Sequence, residues 1–166
     1  MKLTTKGRYA VTAMLDIALH QDKGQVSLAD IAGRQGISQS YLEQLSAKLR
    51  RADLLTSVRG SAGGYLLSRP AAKISVADII LATNESVDNT QCGGAENCHN
   101  GLPCLTHDLW ADLNHTINDF LTEITLADLM KKPQVQKTAR RQDHSMEMAK
   151  FPFITKKSYA AKEALR

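Results

Sequence analysis

A mainly α-helical chain with one short β-hairpin is what this sequence predicts, on three observations. Apolar residues recur at helical spacing through most of residues 6–130. A serine-capped helix, a turn of about four residues around Gly36 and a second serine-capped helix follow one another as in a helix-turn-helix. Two short apolar runs then flank residues 60–64, where three of five residues are glycine. That pattern reads as a hairpin, and a hairpin directly after a helix-turn-helix is a wing. Residues 1–84 are therefore expected to form a winged helix-turn-helix domain.

The elements justify themselves in order. From Lys6 to His20, Val11, Met14, Leu15, Ala18 and Leu19 line one helix face, which is core. After the turn at residues 22–24, Ser27 is placed to cap a short helix through Ile31 and Ala32, with Asp30 in its first turn and Gly36 at its end. Ser38 or Ser40 caps the next helix, and Ser40 with Glu43 matches a capping box. That helix divides by face: Tyr41, Leu42, Leu45 and Leu49 form an apolar stripe, while Gln39, Ser40, Glu43, Gln44, Ala47, Lys48 and Arg51 lie opposite. The polar face suits base edges, since glutamine bonds adenine, glutamate accepts from cytosine N4, and Lys and Arg meet phosphates. Arg59, at the tip of the hairpin, is placed to enter a minor groove. Ser38, Gln39, Ser40, Tyr41, Glu43, Gln44 and Arg59 are the candidate DNA contacts. Residues 60–64 lack the spacing and the βαβ setting of a nucleotide-phosphate loop.

Ser75 caps a further helix through Val76, Ile79, Ile80 and Ala82, ending near Glu85. The loop that follows, residues 85–104, holds every cysteine of the chain, and Cys92, Cys98, Cys104 and His107 are spaced C-x5-C-x5-C-x2-H. Glycines let this loop wrap, and it has few apolar side chains to bury. An odd cysteine count argues against a disulfide framework, and clustering argues against incidental thiols. Thiolates select zinc, Cu(I) or iron–sulfur clusters, and the spacing alone leaves the metal open. Pro103 is expected to open a helix whose first turn carries Cys104 and His107 together, with His99 the competing fourth ligand. In residues 105–132, Trp110, Leu113, Ile117, Phe120 and Ile124 are spaced 3, 4, 3 and 4, flanked by Leu109 and Leu121. This heptad seam predicts a long helix that pairs two copies of the chain, against the simpler alternative of packing back onto its own domain. A short helix follows at residues 126–130, and residues 133–166 read as a basic, disordered tail.

Net charge is zoned: +5 over residues 1–70, −8 over 71–130 and +7 over 131–166. A basic front around a helix-turn-helix points to double-stranded DNA as partner. No run is apolar enough to span a membrane, the N-terminal stretch lacks a signal-peptide pattern, and a cytoplasmic protein is expected. Near the cysteines only Glu96 and Asp108 offer acid–base chemistry, and both read as solvated, so no enzyme is expected.

Particular residue strings carry a family resemblance: Leu3-Thr-x-Lys-Gly-Arg-Tyr-Ala-Val-Thr-Ala-Met-Leu-Asp, Gln35-Gly-Ile-Ser, Ser40-Tyr-Leu-Glu-Gln-Leu, Val58-Arg-Gly, Gly63-Gly-Tyr-Leu-Leu, and Cys92, Cys98 and Cys104-Leu-Thr-His107. Over residues 1–132 the chain resembles the IscR family of bacterial iron–sulfur-responsive transcriptional regulators. The resemblance implies a homodimer with one [2Fe-2S] cluster per subunit on Cys92, Cys98, Cys104 and His107, loaded by an iron–sulfur assembly scaffold. It implies repression of the cluster-assembly operon, control of further promoters with or without cluster, and a role for Glu43 in choosing between two operator classes. Ser61 and Ala62 stand where the family's wing commonly has Pro and Gly, and Ser46 stands where a bulky apolar residue is usual. Three thiolates with one neutral imidazole leave an oxidised cluster less negative than four thiolates do, which eases reduction and makes binding acid-labile. A zinc-stabilised winged-helix transcription factor is the alternative.

Overall fold

A computed structural model of the chain describes residues 4–60, 63–85, 88, 90 and 92–150. The Ser61–Ala62 difference in the wing and the tail beyond residue 150 lie outside the described residues. Helix α1, Thr5–His20, is the central element, burying Ala10, Ala13, Met14, Ile17 and Ala18. Helix α2, Leu28–Gln35, starts at Ser27, whose hydroxyl accepts the Asp30 N–H at 3.1 Å, and ends at Gly36, whose φ of +64° a residue with Cβ rarely adopts. Helix α3, Gln39–Arg51, buries Leu42, Leu45, Ser46 and Leu49. Strands β1, Leu55–Val58, and β2, Gly64–Leu67, pair antiparallel with Leu55 opposite Leu67. A bridge between Val26 and Tyr65 pairs a third segment with β2, which the sequence did not disclose, because a single bridge has no alternating pattern.

Helix α4, Val76–Ala82, begins at a capping box between Ser75 and Asp78. Helices α5, His107–Glu123, and α6, Leu126–Lys131, follow the cysteine loop, and α6 returns to the core through the fully buried Leu126. Val76 N–H meets the Ile124 carbonyl at 2.9 Å and Leu126 N–H meets the Ile74 carbonyl at 3.0 Å. One core therefore draws on α1 to α4, β1 and α6, with Leu126 in the same cluster as Ile31, Leu49, Leu55 and Ile74.

Four expectations need correction. Pro103 does not open a helix: α5 starts at His107 after Thr106, and Cys104 precedes it in a turn closed by His107 N–H on the Cys104 carbonyl at 3.1 Å. Ser38 is the N-cap of α3 and its side chain makes no capping bond, so Ser40 and Glu43 form no capping box. Ile124 follows the end of α5 in extended conformation and turns toward α4, leaving the heptad seam at Phe120. Residues 133–150 are ordered as α7, Pro133–Lys150. Its seam at Val135, Ala139, Gln142 and Met146 has helical spacing, but Gln142 is polar, Ala139 is small and only Met146 is long and apolar, so the pattern is faint.

Helix α7 docks on α1 and α2. Val135 and Ala139 face Val11, Leu15 and Leu19 across a cavity of about 230 Å³. Gln142 and Gln35 exchange amide hydrogen bonds at 3.1 Å in both directions. Met146 Sδ lies only 2.6 Å from where a Cβ on Gly33 would sit, so α7 approaches α2 as closely as a glycine allows.

Candidate metal centre and DNA-reading surface

The exposed face of α3 follows from how the helix is held. Its apolar stripe is buried, which leaves Ser38, Gln39, Ser40, Glu43 and Gln44 exposed. Tyr41 is half-buried and meets Tyr9 edge-on at 5.9 Å, fixing the α3 entry against α1. Glu43 is not free-standing: Gln39 Nε2 donates to its carboxylate at 3.4 Å. Arg59 is exposed beside the hairpin turn. Towards the C-terminus of α3, Lys48 Nζ donates to the Thr83 carbonyl at 3.2 Å, and crowding by Lys6 lowers its pKa.

The cysteine loop brings two of its three thiols together with His107. Sγ of Cys92, Sγ of Cys98 and a ring nitrogen of His107 lie within 4.8 Å of one another. His107 is buried at the start of α5, and its Nδ1 is 3.6 Å from Cys92 Sγ and 3.7 Å from Cys98 Sγ. Cys104 stands beside this group rather than in it: its backbone N–H donates to Cys98 Sγ at 3.0 Å and its own Sγ is 3.7 Å from Thr106 Oγ1. His99 does not join the group; it is exposed and bridges to Leu102 through the backbone. All three thiols are half-buried and unbridged.

Backbone donors prepare this loop for anionic sulfur. Burial opposes ionisation of Cys92, but the N–H groups of Gly94 and Glu96 outweigh it and hold the thiol at about 7. Glycines in left-handed conformation at 93 and 94 turn those N–H groups inward. Cys98 is pushed up: the Cys104 N–H favours its thiolate, but burial and the two neighbouring thiols outweigh that donor. Cys104 is pulled down, first by its contact with Cys98 and then by the Thr106 backbone N–H. Three thiols of graded acidity beside a buried imidazole suit a soft metal or an iron–sulfur unit.

Helix α5 carries an uncovered apolar edge. Leu109 and Phe120 are each about 60% exposed and Trp110 40%, while Leu113 and Ile117 are half-buried. Its other edge, with Asn114, Asn118 and Leu121, faces Ile80 and Leu81 of α4.

Two groups were not singled out from sequence. Asp16 interrupts an apolar stretch of sequence, and its fully buried carboxylate binds Arg34 at 2.6 Å and Gln35 at 2.6 Å, tying α1 to α2. Only a charged residue on an otherwise apolar helix face could have signalled it. Glu85 accepts from the start of α1, a contact spanning about eighty residues that no local pattern carries.

A winged helix-turn-helix with a polar-faced second helix and an exposed basic wing defines a DNA-binding transcriptional regulator. The chain belongs to the Rrf2 family of iron-dependent transcriptional regulators, whose family model matches residues 3–132. It is similar to the HTH-type transcriptional regulator IscR of Xenorhabdus nematophila, 58% identical over 143 residues that cover 86% of this chain and 87% of the relative. The IscR of Photorhabdus laumondii is 55% identical over 149 residues, covering 90% and 91%. Among solved structures, IscR of T. potens matches with a TM-score of 0.65 at 43% identity, covering 79% of this chain and 87% of that one. CymR, the global cysteine regulator of B. subtilis, matches with a TM-score of 0.69 at 32% identity, covering 78% and 96%. These relatives are regulators, not enzymes, and among the described residues no helix is long and apolar enough to cross a membrane.

Proposed function

We propose that this chain senses iron–sulfur supply through a [2Fe-2S] cluster, one per subunit of a homodimer, and represses the cluster-assembly operon when loaded. Further promoters are controlled in the loaded or unloaded form. The observation that carries the reading is the convergence of Cys92, Cys98 and His107 within 4.8 Å, with Cys104 bonded to Cys98 alongside. The donor set fits the group: sulfur and imidazole are its ligand types, and N–H donors offset the thiolate charge. When bound, the cluster supplies a charge and redox state that iron and sulfide availability change. Cys92, Cys98, Cys104 and His107 would hold it, and His107 must be neutral to do so, which makes loading sensitive to acid.

Ser38, Gln39, Ser40, Tyr41, Glu43 and Gln44 are assigned to the major groove and Arg59 to the minor groove of a duplex operator. Dimerisation is assigned to Trp110, Leu113, Ile117 and Phe120 on α5, whose uncovered apolar edge supports it. The protein acts in the cytoplasm and receives its cluster from an assembly scaffold. The compactness of the three-donor group favours a second reading, a single zinc ion as a structural staple.

Anaerobic purification with iron, sulfide and zinc analysis separates the two. A coloured protein with two irons and two sulfides per subunit, whose operator affinity differs from that of Cys92→Ala, is expected. Colourless protein with one zinc per subunit overturns the cluster reading.

A further inference from the structure

We infer that Glu85 is a positioning residue that ties the ligand loop to the DNA-reading helices, so that its contacts carry the state of the loop to α1 and α3. The inference rests on the sensing function proposed above and names the part of the chain that transmits it.

Helix α1 has no acidic residue in its first turn. Its N-cap hydroxyl, on Thr4, accepts the Lys6 N–H at 3.2 Å, which leaves the Gly7 N–H for another acceptor. Glu85 provides that acceptor from the segment after α4: Gly7 N–H donates to Oε2 at 3.1 Å and the Thr4 hydroxyl donates to Oε1. A carboxylate at this end also meets the positive pole of the helix.

The same stretch of chain grips α3. Thr83, fully buried two residues before Glu85, turns its hydroxyl onto the Ile80 carbonyl and presents its own carbonyl to Lys48 Nζ at 3.2 Å. Lys48 is crowded by Lys6, and the charge of Glu85 opposes that crowding. One carboxylate therefore caps α1 and helps to keep two cations together beside the second helix of the helix-turn-helix.

Downstream, the chain enters the ligand loop through a short relay. Asp88 accepts from the Thr90 N–H and hydroxyl, both at 2.7 Å, and from Asn114 Nδ2 of α5 at 2.8 Å. The Thr90 hydroxyl accepts the Gly94 N–H at 2.7 Å, and Gly94 lies in the turn that serves Cys92. Contacts with α3, α1, α5 and the Cys92 turn thus all arise from residues 83–94. A displacement of Cys92 on loading can therefore reach α1 and α3 through this stretch, beside the direct packing of α5 on α4.

The test compares operator binding by anaerobically loaded and unloaded full-length protein, wild type and Glu85→Ala, by fluorescence anisotropy. Hydrogen exchange at Gly7 is followed in the same samples. The ratio of loaded to unloaded affinity should fall by about fivefold or more in Glu85→Ala, at unchanged iron content. In wild type, Gly7 should exchange at different rates in the two states. Glu85→Gln, which keeps an acceptor and the side-chain shape, should retain part of the ratio and serves if the alanine variant does not fold. A wild-type ratio in both variants, or equal Gly7 exchange in the two states, overturns the link and reduces Glu85 to a helix cap. A wild type that binds its operator equally well loaded and unloaded overturns the sensing function itself.

Discussion

Replacing Arg34 by Met should destabilise the domain by about 2–3 kcal/mol at pH 7. Asp16 is the reason: its side chain is fully buried, and Arg34 donates to it from Nε and a terminal nitrogen, the shortest bond being 2.6 Å. Burial alone would raise the Asp16 pKa, but hydrogen bonds from His20, Arg34 and Gln35, with the guanidinium charge, bring it to about 2 from 3.8. That difference corresponds to about 2 kcal/mol of net stabilisation when the carboxylate is ionised. Leaving a buried carboxylate without its cation costs roughly 3–5 kcal/mol where nothing else compensates. His20 and Gln35 remain in the variant, which places the loss at the lower end. The folded pKa is depressed, so this stabilisation is present above the unfolded value near 4 and fades as pH falls toward 2. About half of it is gone by pH 3. Urea unfolding of wild type and Arg34→Met at pH 7 and pH 3 reads both quantities. A loss below about 1 kcal/mol at pH 7, or one that does not shrink at pH 3, refutes the pairing as the source of stability.

Four further outcomes test the site and the surfaces. Cys104→Ala should lose iron and sulfide as completely as Cys92→Ala, although Cys104 stands outside the compact donor group; retention of both in equal amounts would remove it from the ligand set. Arg59→Ala should weaken operator binding by about 1–3 kcal/mol in an anisotropy titration, whereas Lys137→Ala on α7 should change it little, and equal losses would assign recognition to diffuse charge. Ending the chain at Lys132 should cost about 2–4 kcal/mol in thermal or urea unfolding, because it uncovers Val11 and Leu15 and removes Gln142 from Gln35 and Asp143 from His20; unchanged stability would mean that α7 does not dock in solution. Wild type should sediment as a dimer and Phe120→Glu as a monomer with unchanged iron content; a dimeric variant would move the interface off α5, and a monomeric wild type would overturn the proposed dimer.

Much of this architecture was legible in the residue order. Serine and aspartate at caps, glycine at the end of α2 and helical periodicity in α1, α3 and α5 all act within a turn or two of chain, so their positions report directly on backbone geometry. The approach of Cys92 to Cys98 was legible for the same kind of reason: thiols gathered into thirteen residues can meet without help from the rest of the fold, whereas the structure sets Cys104 beside that pair. Where local signals competed, reading was weaker. Ser40 with Glu43 looked like a capping box, yet the chain entered the helix two residues earlier, at Ser38.

The remaining features come from contacts between distant segments. Asp16 appears in the sequence as a blemish on an apolar face, and it is the carboxylate that joins α1 to α2 because Arg34, eighteen residues away, turns toward it. Helix α7 appears as basic, polar chain, and it is ordered because Gly33 leaves room for Met146 and Gln35 offers both halves of an amide pair to Gln142. Glu85 caps a helix that begins eighty residues before it. A composition or a period records how a side chain relates to its own helix. It holds no record of which buried charge, amide or helix end will face it across the core, because that pairing exists only once the chain has closed on itself.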